Sequence, residues 1–124
     1  MSKESIEQLI KAEAEKLAAT MIGNRPADPV DGLQYVIVRA TGAGVHAGYL
    51  VEQDRDLVRL RNARRCRRYY SGEVGDCTDL ALEGITPGSE SQIRPVLASI
   101  TLTGVHEVIP ATEKSRVSIE GWGK

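Results

Sequence analysis

The stretch from Gln34 to Val51 limits the fold more than any other part of the chain. Gln34–Ala40 (QYVIVRA) is a dense β-branched run, which predicts a buried strand. TGAG follows, and its glycines supply the positive φ that a tight connection needs. Val45–Val51 (VHAGYLV) predicts a second strand, and Glu52–Asp54 turns the chain again. Asp56–Ala63 (DLVRLRNA) then sets apolar Leu57, Val58 and Leu60 among arginines and predicts a third. Three sequential strands with short turns make an antiparallel meander. One face of it is apolar, and the other carries Arg59 and Arg61.

The remaining elements follow from local signals. Between Ser5 and Met21, Ile6, Leu9, Ile10, Ala14, Leu17 and Met21 recur at helical spacing, with Ser5 and Gln8 fitting a capping box. Gly23 and Pro26 stop that helix, and RPADPVDG reads as a turn-rich connector. RRCRRYYSGEVGD reads as irregular. A short helix is expected over Thr78–Glu83, closed by Gly84. Ile93–Leu97 and Ile100–Ile109 predict further strands, the second interrupted at Gly104, and Thr112 caps a last helix (EKSRVSI). The predicted class is α+β: a small, mostly antiparallel sheet of about five strands, with an N-terminal amphipathic helix and short C-terminal helices. A chain of 124 residues predicts one domain, with the helix in residues 1–23 and the sheet core and ligand-binding region in 34–122.

Composition removes several classes of function. Hydrophobic residues make up 41%, enough for a packed core, which argues against wholesale disorder. No apolar run approaches the ~18 residues of a membrane span. The first sixteen residues alternate charges and lack the apolar centre of a secretory signal, so a cytoplasmic chain is expected. Aromatic residues amount to 4% (Tyr35, Tyr49, Tyr69, Tyr70 and Trp122), so the core must be aliphatic, and such a small chain gains from oligomerisation. Cys66 and Cys77 read as free thiols, and neither His46 nor His106 stands at metal-ligand spacing to them.

The sequence contains no P-loop, no GxGxxG, no HExxH and no nucleophile elbow. His46 and His106 sit mid-strand and read as half-buried strand residues before general bases, and the carboxylates are scattered. No catalytic residue, metal or cofactor is therefore assigned, and a non-enzymatic binding protein is expected. The strongest signal is the arginine cluster. Net charge is only −1, yet seven of the eleven arginines lie between Arg55 and Arg68, where Asp56 is the one acid and no lysine occurs. Guanidinium forks grip phosphate oxygens in pairs, and the neighbouring Tyr69 and Tyr70 would stack a purine. The competing reading is a solvated edge strand, or arginines that pair with acids across a subunit interface. Asn62 reads as a turn former before a base-reading amide. Arg116, just after the cap Thr112, reads as a surface arginine on its own merits.

In order along the chain stand YVIVRATGAGVHAGYLV, LRNARR, an aromatic-Ser-Gly, LALEGI and VHEVIPATEKSRVSIEG. From Tyr35 to Trp122 this resembles the type-one Thoeris anti-defence (Tad) family, small phage proteins. The most specific pieces are AGVHAGYL, NARR and EVIPATE. The resemblance implies a sponge that binds cyclic nucleotide immune signals without cutting them. Those signals are glycocyclic ADP-ribose of the Thoeris system and cyclic di- or trinucleotides of the CBASS type. It also implies a homo-oligomer, a dimer that assembles into a hexamer, in the host cytoplasm. Arg64 and Arg65 match the family's phosphate contact, and Arg116 falls where a second such arginine is expected. The family's pocket aromatic is matched by Ile93, which cannot stack on adenine. Cys66, Arg67 and Arg68 stand where the family is commonly aromatic.

Three other classes compete with the sponge. A nucleic-acid-binding protein would use the Arg55–Arg68 stripe and lose affinity steeply with salt. An enzyme would release altered signal. A structural phage component would gain no stability from any small ligand.

Overall fold

The computed structural model describes residues 24–123, and the expected helix of residues 1–23 lies outside them. Along the described chain run β1 (Tyr35–Ala40), β2 (Gly44–Asp54), β3 (Leu57–Arg68), α1 (Cys77–Glu83), β4 (Gln92–Ile93), β5 (Leu97–Leu102), β6 (Val105–Pro110) and α2 (Glu113–Gly121). The fold is α+β, and its strand pairs are antiparallel, with order β4-β3-β2-β1-β6 and β5 also on β3. The meander is formed by β1, β2 and β3. Among the described residues six strands stand where about five were expected, because the predicted Ile100–Ile109 strand is divided at Gly104 between β5 and β6; β3, for its part, continues through Arg68 and pairs there with β4. The stretch read as irregular is thus partly strand: Arg64 and Cys66 are buried while Arg65 and Arg67 are exposed, the period of two of a β-strand.

The sheet curls. Only Thr103 and Gly104 separate β5 from β6, yet β5 pairs with β3 and β6 with β1, on opposite sides of β2. Gly104 makes that kink at φ 70°. The Thr41 N–H, ahead of β2, donates to the Gly104 carbonyl (2.9 Å), and the Val105 N–H donates to the carbonyl of Asp56, beyond β2 (3.1 Å). Both ends of the eleven-residue β2 therefore reach one kink, which a straight strand of ~3.3 Å per residue cannot do.

Two β-bulges make the bend. Ala47 lies opposite Arg64 and Tyr49 opposite Arg61, so β3 has one extra residue there; Leu50 faces Leu60 and Glu52 faces Arg59, so β2 has one extra at Val51. Asn62 takes the left-handed backbone (φ 51°) at the first bulge, a conformation Asn tolerates better than most residues. Opposite it is Gly48. A Cβ there would lie 3.1 Å from both the Ala63 Cα and the Arg61 carbonyl oxygen, so only glycine lets the strands approach this closely.

Curling gives the sheet two buried faces. Val36, Val38, Val58, Leu60, Ala63 and Leu102 pack inside the curl. Tyr35, Ile37, Ala47, Tyr49 and Cys66 pack outside it, under Leu80, Ala81 and Ile119 of the helices. Both clusters are mainly aliphatic, as the scarcity of aromatics requires. The helices meet through hydroxyls. The last carbonyls of a helix have no partner within it, and here Leu80 O accepts from Ser115 Oγ (2.6 Å), Ala81 O from Thr112 N (2.9 Å) and Leu82 O from Thr112 Oγ1 (2.7 Å). Asp76 caps the start of α1 and Thr112 that of α2.

Candidate functional site

The bulge at Asn62 sorts the arginines of β3 into three environments. Before it, Arg59 and Arg61 are exposed; Arg59 pairs with Glu52 (3.2 Å). After it, Arg64 turns under α2, while Arg65 and Arg67 turn out on the other face. Asn62, read as a turn former before a base-reading amide, lies inside β3 and makes a β-bulge there and not a turn between elements.

Arg64 is 6% exposed. Its Nε donates to the Arg94 carbonyl (2.8 Å), its Nη1 to the carbonyls of Ile119 (2.8 Å) and Trp122 (2.7 Å), and its Nη2 to that of Ile93 (3.4 Å). Helix α2 has no basic residue in its last turn, so Arg64 supplies the cation that the negative end of the helix dipole favours. The phosphate contact assigned to Arg64 is corrected: four of its N–H groups already serve backbone carbonyls inside the protein.

Arg65 and Arg67 line an open groove of about 690 Å³ together with Arg94, Pro95 and Leu97. The antiparallel run of β4 into β5 along β3 brings Arg94 there, held by a bond from its own N–H to the Arg65 carbonyl (2.9 Å). Of the described residues, the lining contains three guanidiniums and no carboxylate. Among the described residues, Arg61, Arg65, Arg67, Arg68 and Arg94 make no salt bridge. A concave surface of that kind holds an unbalanced positive field and offers paired donors to an oxyanion. Arg94 was missed in the sequence because it lies 26 residues beyond the cluster. Pairing of the predicted Ile93–Leu97 strand with β3 was the signal that would have found it.

The other predicted residues lie elsewhere. Tyr69 turns inward, its Oη 3.5 Å from Cys77 Sγ, and burial with that contact raises its pKa. Tyr70 is 47% exposed with its N–H on Ser91 Oγ (3.0 Å), outside the groove lining. Ile93 is half-buried opposite Cys66 and packs on the core beneath the helices. Among the described residues no aromatic ring lines the groove, so the expected stacking of a purine there on Tyr69 or Tyr70 is not what the geometry provides. Arg116 is clasped by Glu113 and Glu120, with its Nη1 on Glu120 Oε2 (3.0 Å) and its Nη2 on Glu113. Those bonds raise its pKa and lower that of Glu113. Its assignment as a second phosphate arginine is corrected, because two carboxylates already neutralise it.

The histidines take no part in the groove lining. His46 is fully buried, and its Nε2 donates to the Ala43 carbonyl (2.8 Å). Burial holds its pKa below the usual 6.5. Exposed His106 meets Thr41 Oγ1 through Nε2. Burial pushes the Cys66 thiol up to about 12, so it is protonated and unreactive at neutral pH. Among the described residues, no three His, Cys, Asp or Glu side chains gather as a metal site, and no helix is long and apolar enough to cross a membrane.

Residues 33–119 match the family model described as a domain of unknown function, DUF6948. The chain belongs to that family. The DUF6948 segment takes in all six strands, α1 and most of α2, so the curled sheet and every residue lining the arginine groove fall within it. Comparison with curated proteins and with solved structures found no match.

Proposed function

We propose that this DUF6948 protein binds phosphate-bearing nucleotide ligands and holds them without chemical change. The carrying observation is the groove in which Arg65, Arg67 and Arg94 converge with no carboxylate among the described residues, on a chain of net charge −1. In this reading Arg65 and Arg94, tied through the backbone, straddle a phosphate or pyrophosphate, and Arg67 adds a third fork. Pro95 and Leu97 give the apolar part of the ligand a floor. The ligand class is the one that the sequence resemblance implies: glycocyclic ADP-ribose or a CBASS-type cyclic oligonucleotide, sequestered by a phage protein in the host cytoplasm. Long nucleic acid fits less well. Glu52 and Glu107 pair with Arg59 and Arg39, so the exposed arginines form a local patch and not a continuous basic track.

The test is a thermal-shift panel of glycocyclic ADP-ribose isomers, cyclic dinucleotides and cyclic trinucleotides, with duplex DNA as control. At least one cyclic ligand should raise the melting temperature, and heat-denaturing the complex should return it unaltered by chromatography. Ligand recovered in cleaved form would make the protein an enzyme. A response to DNA alone, weakening steeply with added salt, would make it a nucleic-acid binder.

A further inference from the structure

His46 is the buried titratable group that stands behind the arginine groove. The register of β2 on β3 sets it directly opposite Arg65. Directly opposed residues of an antiparallel pair share a face, with Cβ atoms about 4.5–5.5 Å apart. The same row continues through Val38 of β1 to Val108 of β6, both of which pack inside the curl. His46 is 1% exposed, whereas Arg65 is open to solvent in the groove. An imidazole shut away from water therefore lies beside a cation that the groove offers to a ligand.

The other charges near this row are placed differently. Arg64 turns to the opposite face, under α2. Arg39 and Glu107 alternate with Val38 and Val108, so they too lie on the opposite face, where they pair with each other (3.4 Å). The β5 strand, LASITL, brings no charged residue to the interior. From the turn before β2, the Ala43 carbonyl accepts from His46 Nε2 (2.8 Å). Exposed His106 is held by Thr41. Arg67 and Arg94 stand with Arg65 in the groove and have the same sign. Burial lowers the pKa of His46 most; the Ala43 bond opposes that, and the Arg65 charge adds to it.

We propose that an anion at Arg65 and a proton on His46 bind cooperatively, so that the affinity of the groove depends on pH. The proposal rests on the reading of the groove as an anion site and adds its regulation. Without an anion, the Arg65 charge repels a proton on His46, and the imidazole is neutral. An oxyanion between Arg65 and Arg94 cancels that field, and His46 then takes up a proton from solvent. Linkage makes the effect reciprocal: protonated His46 adds positive charge behind the groove and tightens the anion by the same factor. Affinity rises as pH falls through the titration range of His46 and is flat above it. The guanidiniums stay charged throughout, and a phosphodiester is ionised throughout, so neither contributes a slope of its own.

The test follows the two histidines of the full chain by NMR from pH 8 to 4.5, in sulfate and in chloride of equal ionic strength. Sulfate keeps both its charges over this range. His46→Gln assigns the two signals. Sulfate should raise the His46 midpoint by at least about 0.7 pH unit, the lower, fivefold end of common coupling between sites, while His106 stays where it was. Arg65→Gln should raise the His46 midpoint in chloride and remove the further response to sulfate. In calorimetry, a cyclic dinucleotide should bind wild type at least about fivefold more tightly at pH 5 than at pH 8, and His46→Gln equally at both. A His46 midpoint that neither sulfate nor Arg65→Gln moves would overturn the inference. So would a dinucleotide affinity that follows pH identically in wild type and His46→Gln. A dinucleotide that binds at neither pH would overturn the ligand reading alone, because the sulfate and Arg65→Gln titrations measure the coupling without it.

Discussion

Arg64 and Arg65 are neighbours with opposite functions, and the difference is one of burial alone. Arg64 binds the carbonyl ends of α2 and of the β4–β5 run, so Arg64→Ala leaves several buried acceptors without donors. At roughly 1.5–3 kcal/mol for a hydrogen bond to a charged group, about 3 kcal/mol of stability should be lost. Urea denaturation would show this as a large drop in midpoint, whereas Arg65→Ala should leave the midpoint within about 0.5 kcal/mol of wild type. His46 gives a second residue-scale prediction. Its folded pKa lies below the unfolded 6.5, so the unfolded chain binds the proton more readily. The stability it contributes is complete above pH 6.5 and is lost as pH falls from there through the folded value. Denaturation from pH 8 to 5 should show that decline, and His46→Gln, which keeps an amide donor for Ala43 O, should flatten it. An identical slope in the variant would assign the decline to other groups.

At the scale of elements, the strands and helices were largely legible because their signals are local. Gln34–Ala40, the glycine turn, Gly84 behind α1 and Thr112 ahead of α2 each announce themselves within a few residues. What remained hidden is non-local. Nothing in LRNARRC says that Asn62 is a bulge, since that depends on Gly48 in another strand, and the bulge decides which arginines face out. A one-residue phase shift therefore turned Arg64 from a ligand residue into a helix cap. The pairing of β5 with β3, which delivers Arg94, is equally invisible in a linear reading. If the bulge rests on the left-handed backbone at Asn62, Asn62→Gly should retain the melting temperature. Asn62→Val should lose about 1–2 kcal/mol, because a β-branched side chain resists positive φ. Equal stability of the two variants, measured by calorimetric unfolding, would show that this backbone angle does not matter.

Over the whole molecule, the curl arranges function by leaving things out. Helices cover the outer face where Arg64 and Cys66 lie, and aliphatic side chains fill the interior. The groove at the β3–β4–β5 flank is left with positive charge that no neighbour among the described residues neutralises. Turning Tyr69 inward, leaving Tyr70 outside the groove lining and pairing Arg116 with Glu113 and Glu120 removes other residues that the sequence nominated, so the ligand reading now rests on Arg65, Arg67 and Arg94. The most direct measurement is a calorimetric titration of glycocyclic ADP-ribose and cyclic dinucleotides into wild type and into the Arg65→Ala/Arg94→Ala double variant. Removing two charged donors predicts a loss of affinity of at least about 100-fold for the ligand that wild type holds, with the melting temperature of the free protein unchanged. Undiminished affinity in the double variant, or no binding of any of these ligands by wild type, would contradict the account.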